Sequence, residues 1–127
     1  MNLALWIAAG LLAVVALAGG ISKTFVPRER LREIRGGEWV GHFSGGFVKT
    51  LGILELLAAV GLILPAVVDV APVLVPVTAA CWVLLMVGAM ITHLRLGSPR
   101  FATLNAIYLA LAAFVAWGRF GPESFTA

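Results

Sequence analysis

Glu55 is the residue to begin with, because it is the one acidic side chain inside a long apolar run. An acidic group at the centre of a membrane span costs about 2.5–3.5 kcal/mol on insertion scales. Such a group stands protonated, paired with a cation, or facing water. Gly52 lies three residues before it and Ala59 four after, so they share its helix face. That face is small and suits a neighbouring helix, which turns the carboxyl inward. Depth then selects its company. Lys49 is six residues away and falls on a different face of the same helix. Lys23 and His93 close the ends of two other apolar runs and are better placed to reach across. Asn105 and Tyr108 share a face at i, i+3 of the last run. The candidate catalytic residues are therefore Glu55, His93 and Lys23, with Lys49, Asn105 and Tyr108 as candidate substrate-binding residues. All six fall in one half of the bundle's depth, whereas the other half holds almost nothing polar except Thr78. A polar pocket opening toward one membrane face follows. Each member also has an ordinary explanation: Lys23 and Lys49 can snorkel to headgroups, His93 can be a boundary residue, and Asn105 can bond between helices.

Other combinations lead nowhere. Two histidines without HExxH spacing give no metal site. Cys81 has no second cysteine for a disulfide or for CxxC chemistry, and it reads as inert packing. Gly41, Gly45, Gly46, Lys49 and Thr50 imitate a phosphate-binding loop, but Phe47 and Val48 separate glycine from lysine and no strand precedes. His42 reads as solvated.

The elements that hold these residues follow from composition. The chain has 127 residues, 61% hydrophobic and 12% charged, against about 45–50% and 25% in soluble domains. Such a chain cannot hide its apolar surface in water, and it is too oily for disorder. Its net charge of +3 gives no reason to expect nucleic acid. Four apolar runs, at about 3–25, 47–64, 71–92 and 101–117, are long enough for helices crossing about 30 Å of hydrocarbon, the last near the lower limit. The runs do not alternate as barrel strands would. The sequence thus predicts one all-α domain, a four-helix transmembrane bundle. Ala16-Leu17-Ala18 imitates a signal-cleavage site, but no basic residue precedes the run and the run continues beyond. Proline punctuates the bundle: Pro27 ends helix one, Pro65 ends helix two, Pro72 and Pro76 sit in the opening turns of helix three, and Ser98-Pro99 precedes helix four. Gly121-Pro122 stops the chain's last helix.

Arg28, Arg30, Arg32 and Arg35, with Lys23, crowd the 26–46 connection, and Arg95 and Arg100 the third. The positive-inside rule places both connections in the cytoplasm and both termini on the outer side. Trp6 and Trp117 then fall at the outer boundary, Trp39 and Phe43 at the inner one, and Trp82 within a helix as packing. Within the long connection, Arg28 to Arg35 reads as a short helix with Leu31 and Ile34 on one side, Glu29 able to pair with Arg32, and Gly36-Gly37 at its end. It is an ordinary basic loop, or a surface for anionic headgroups or a soluble partner.

The order of several short motifs across the four runs resembles the DoxX-like family of small four-helix membrane proteins. They are Gly19-Gly20-Ile21-Ser22-Lys23, Val48-Lys49-Thr50-Leu51-Gly52-Ile53-Leu54-Glu55, Gly61-Leu62-Ile63-Leu64-Pro65, Gly88 through Arg95, and Trp117-Gly118-Arg119-Phe120. The resemblance implies a bundle in the bacterial inner membrane, with some relatives tied to thiosulfate:quinone oxidoreduction or to thiol and oxidative-stress complexes. Lacking paired cysteines, this chain is not equipped for thiol–disulfide exchange of its own.

Three functions fit the residues. One is a redox-linked membrane subunit whose pocket takes a quinone-like or other lipophilic substrate, with Lys23, His93 and Asn105 bonding carbonyl oxygens and Glu55 exchanging a proton. It would work with a soluble or membrane redox partner, and self-association stays open. A second is cofactor-free acid–base chemistry, isomerisation or epoxide opening, on a lipophilic small molecule. The third is not enzymatic: a proton-coupled exporter or a membrane scaffold. In the small multidrug exporters the acidic residue belongs to the first helix, and here that helix has none.

Overall fold

The computed structural model describes residues 1–33 and 37–125. Ile34, Arg35 and Gly36 therefore lie outside the described residues. Four long helices, α1 (Asn2–Phe25), α3 (Gly45–Val67), α4 (Leu74–Arg95) and α5 (Pro99–Phe120), are each long and apolar enough to cross a membrane. Between α1 and α3 come a short helix, α2 (Arg28–Glu33), and a 3-10 turn, Glu38–His42. Helices are the form that lets the backbone satisfy its own polar groups in hydrocarbon. The expected all-α bundle is the fold.

α3 and α5 are longer than the apolar runs read from the sequence, while α4 equals its run in length but begins and ends three residues later. Pro65 does not end α3, which continues to Val67 with the proline inside its last turn. A proline there forfeits one bond, to the carbonyl four residues back, while the next turn still closes through Val68 N to Leu64 O at 3.0 Å. Pro72 stands in the turn before α4, and Pro76 is its third residue. Pro99 occupies the first turn of α5, but the Ser98 side chain makes no capping bond. The turn from α3 to α4 passes through positive φ at Asp69 (54°) and Ala71 (48°), the latter unusual for a residue with a Cβ.

The helices form a ring. α1 packs chiefly on α3 and α4 chiefly on α5, and two lighter seams, α3 with α4 and α1 with α5, close it. Both termini share one end, where Trp6 meets Phe125. The 26–44 connection lies at the other, called here the basic end. Leu5, Ala8, Ala9, Leu12 and Ala16 form the inner stripe of α1, at the three- and four-residue steps of a helix face. They join Leu62, Val75, Ala79, Trp82, Met86, Ala112 and Val115 in the core. The outer face is as oily as the inner one. Leu3, Ile7, Val14, Leu57, Val67, Leu84 and Leu94 are each more than half exposed. Cys81 is exposed as well, so it lies on the outer surface and does not pack the interior. A surface of this kind belongs in lipid, and the protein is a multi-pass membrane protein.

The tightest crossing joins α1 to α3. A Cβ on Gly52 would lie 2.6 Å from Thr24 Oγ1 and 2.8 Å from both Thr24 N and Lys23 Cβ. One on Gly20 would lie 2.8 Å from Leu56 and 2.9 Å from Gly52 O. Small residues at membrane-helix interfaces let backbones approach in this way. Gly10, in contrast, has open space beside it. Gly52→Ala is expected to cost about 1–3 kcal/mol by overpacking and to lower the unfolding temperature in detergent, while Gly10→Ala leaves it unchanged or raises it. Equal melting temperatures for the two variants would show that the crossing is loose.

Candidate functional site

At the basic end the close α1–α3 crossing brings two charged side chains together. Lys23 stands in the last turn of α1 and Glu55 near the middle of α3. The Lys23 Nζ lies 2.9 Å from Glu55 Oε2 and donates a hydrogen bond to Oε1 at 3.2 Å. The approach to Oε2 is shorter, but its angle leaves the bond on Oε1. This is the one ion pair among the described residues. Glu55 is only 7% exposed, so it points into the bundle and not at lipid. Gly19 supplies the room: a Cβ there would stand 3.2 Å from Lys23 Nζ and 3.3 Å from Glu55 Oε2.

The pair lies on the wall of a partly open cavity of about 410 Å3. The cavity occupies the lighter α3–α4 seam at the basic end. α3 contributes Phe47, Leu51 and Glu55, and α4 contributes residues from Leu84 to His93. Gly88 borders it, and a Cβ there would meet nothing within 4 Å. Asn105 reaches it from α5, and Trp39 and Phe43 from the 3-10 turn and its cap. Phe43 stacks on Phe47 with ring centroids 4.8 Å apart and meets Trp39 edge-on at 5.9 Å. The Lys23 ammonium is 5.8 Å from the centre of the Trp39 ring, within range of a cation–π attraction. Most of the wall is apolar, and its polar groups are Lys23, Glu55, Thr92, His93 and Asn105. The Thr92 hydroxyl is returned to Gly88 O at 2.9 Å, and the His93 ring leans on Phe101 at 5.7 Å.

Of the six residues singled out in the sequence, four line this cavity: Glu55, Lys23, His93 and Asn105. Lys49 does not. It is exposed and borders a different cavity, beside Thr24 and Arg28. Tyr108 packs against the central core, one turn deeper than Asn105. The aromatic wall was legible only as a membrane-boundary belt. Its actual signal is the spacing of Trp39, Phe43 and Phe47 at four-residue steps across a turn and a helix start.

The connection that carries the wall is fastened from both sides. Leu31 of α2 is buried with Val40 and Val48. Arg28 Nη2 donates to Phe43 O at 2.9 Å and to Gly41 O at 3.4 Å. Glu29 and Arg32 do not pair; the Arg32 guanidinium lies beside Gly41 instead. The terminal end holds a buried cation in the last turn of α5. Arg119 is 4% exposed, donates to Glu123 O at 2.9 Å, and lies 3.9 Å over the Phe125 ring and 5.8 Å from that of Trp6. Its signal was the placement of a cation at a helix C-terminus next to aromatic residues.

Removing one partner from a buried ion pair strands the other charge, at about 3–5 kcal/mol. Lys23→Ala is therefore expected to destabilise strongly, toward the lower figure because the Lys23 side chain is 20% exposed, and the double variant Lys23→Met/Glu55→Gln to recover most of the loss. Denaturation in detergent micelles reads both. Additive effects of the two substitutions would mean that the pair is uncoupled.

A chemically mixed wall of this kind can grip a flat apolar molecule through its ring faces while acidic, basic and amide groups meet its polar atoms. No curated protein and no solved structure matches the chain significantly. The model of the DoxX-like family matches residues 7–115, which takes in α3 and α4 whole, most of α1 and α5, and every polar group of the cavity: the chain belongs to the DoxX-like family.

Proposed function

We propose that the protein is a redox-linked membrane subunit whose cavity at the basic end binds a lipophilic small molecule with a quinone-like head. The observation that carries this reading is the placement of the Lys23–Glu55 pair, His93 and Asn105 around one apolar space walled by stacked aromatic rings. The volume of about 410 Å3 is in the range of small-molecule sites, which run from about 300 to 1,000 Å3. A quinone, when bound, supplies the capacity to take up two electrons and two protons. The chain supplies the rest. Phe43, Phe47 and Trp39 hold the ring face, and Asn105, His93 and Lys23 donate to carbonyl oxygens. Glu55 passes a proton to or from the same oxygens, with Lys23 holding its negative charge in place. The cavity is only partly enclosed, so an isoprenoid tail has a way out to the lipid. Electrons come from a soluble or membrane redox partner.

The same reading orients the molecule. Arg28, Arg30, Arg32, Arg95 and Arg100 all belong to the basic end, which the positive-inside rule places in the cytoplasm, with both termini outside and the bacterial inner membrane as the location.

Binding tests the proposal directly. Titration of a short-chain quinone into the detergent-solubilised protein is expected to quench the fluorescence of Trp39 saturably, and Trp39→Phe to remove most of that signal. His93→Ala and Asn105→Leu each remove about one hydrogen bond, worth about 0.5–1.5 kcal/mol, and are expected to weaken binding roughly three- to tenfold. Tyr108→Phe, away from the cavity, leaves it unchanged. Quenching without saturation, or an affinity in both His93→Ala and Asn105→Leu equal to that of the unsubstituted protein, would remove the quinone-like ligand from consideration.

A further inference from the structure

A second cavity of about 400 Å3 lies at the basic end and shares Lys23 with the first. It is framed by the end of α1, the start of α2 and the first turns of α3. Lys23, Arg28 and Lys49 border it, with Thr24 between them and Leu31 and Val48 among its apolar walls. Among the described residues, no carboxylate borders it.

The donors around it are not used up by the fold. The hydroxyls of Thr50, Thr78, Thr92 and Thr103 each return to the carbonyl four residues back. Thr24 does not: its Oγ1 is buried against Gly52 and has no hydrogen-bond partner among the described residues. Arg28 commits Nη2 to two carbonyls, while its Nε is buried with no acceptor. Lys49 makes no hydrogen bond or ion pair among the described residues. Lys23 spends its charge on Glu55. Two cationic side chains, Arg28 and Lys49, therefore border one space that no carboxylate among the described residues borders. Gly45, which opens α3, also borders the space, and the positive end of that helix dipole adds to the field.

We propose that this cavity binds a phosphate oxyanion, held by Arg28 and Lys49. Guanidinium and ammonium donors are groups that recognise phosphate. The phosphate comes either from the headgroup of an anionic phospholipid or from a soluble phosphate ester. The apolar floor of Leu31 and Val48 suits the glycerol and upper acyl region of a lipid. The assignment does not depend on the quinone-like ligand, because Arg28 and Lys49 do not border the first cavity.

Native mass spectrometry of the full chain, released from detergent with added phosphatidylglycerol or phosphatidylcholine, tests it. Phosphatidylglycerol is expected to stay bound at least fivefold better than phosphatidylcholine. Arg28→Ala and Lys49→Ala each lower its retention about five- to tenfold. Arg95→Ala, a cation at the same end but outside the cavity, leaves retention unchanged, as does His93→Ala in the first cavity. Lys49 is exposed and contacts nothing polar, so its variant folds even where Arg28→Ala loosens the connection. Glycerol phosphate titrated by calorimetry separates the sources: binding as tight as the lipid's and equally sensitive to Lys49→Ala assigns the cavity to a soluble ester. Equal retention of both lipids without glycerol phosphate binding overturns the site, and so does an Arg95→Ala effect as large as that of Lys49→Ala.

Discussion

A carboxylate held inside an apolar bundle is the constraint to which the rest of this structure responds. Glu55 has an ammonium 2.9 Å away, and that contact exists only because two helix backbones come very close. Gly20 and Gly52 bring α1 and α3 together, and Gly19 leaves room for both charged heads. A side chain on any of the three would push the lysine away from the acid or the helices apart. Desolvating two charges is costly, and their attraction compensates only in good geometry. The glycines of the first two runs are thus electrostatic devices as much as packing devices. They set the separation at which the pair becomes tolerable.

The same pairing explains where the cavities lie. α1 grips α3 and α4 grips α5, while α3 and α4 meet along a lighter seam. At the terminal end that seam is filled: Gly61 takes Thr78 against it, and Leu62, Val75 and Ala79 are buried. Toward the basic end Gly88 and Ala89 replace bulk with space, and the first cavity opens there. The terminal end is sealed differently, by a guanidinium beside two aromatic rings that also meet each other. One end of the bundle is closed by packing and by Arg119, and the other is left hollow beneath a short aromatic lid.

Much of this was legible in the sequence, for reasons that can be named. Long apolar runs bounded by Pro27, Ser98-Pro99 and Gly121 determine spans because a backbone in lipid has no alternative to the helix. The inward turn of Glu55 followed from Gly52 and Ala59 on its face. Depth was legible, but the direction around each helix was not. Lys49 and Tyr108 were grouped with Glu55 because they lie in the same half of the bundle. Lys49 projects to the far side of the α1–α3 crossing, and Tyr108, one turn beyond Asn105, has already passed from the cavity into the core. Pro65 misled for another reason. A proline close to a helix end forfeits a single bond, so the last turn of α3 continues past it.

The long basic connection shows most clearly what local patterns leave out. Read alone, Arg28 to Arg35 is a charged strip with two apolar residues, suited equally to water, headgroups or a partner. Its role comes from contacts distant in sequence. Leu31 finds Val40 and Val48, and Arg28 ties down the carbonyl of Phe43. By those two contacts a loop that looks solvated becomes the support for Trp39 and Phe43, and hence for the aromatic side of the first cavity. Arg28 also borders the second cavity. Lys23, between the two, touches Trp39 on one side and Glu55 on the other. Lys23 thus lines both cavities and spends its charge on the carboxylate of the first.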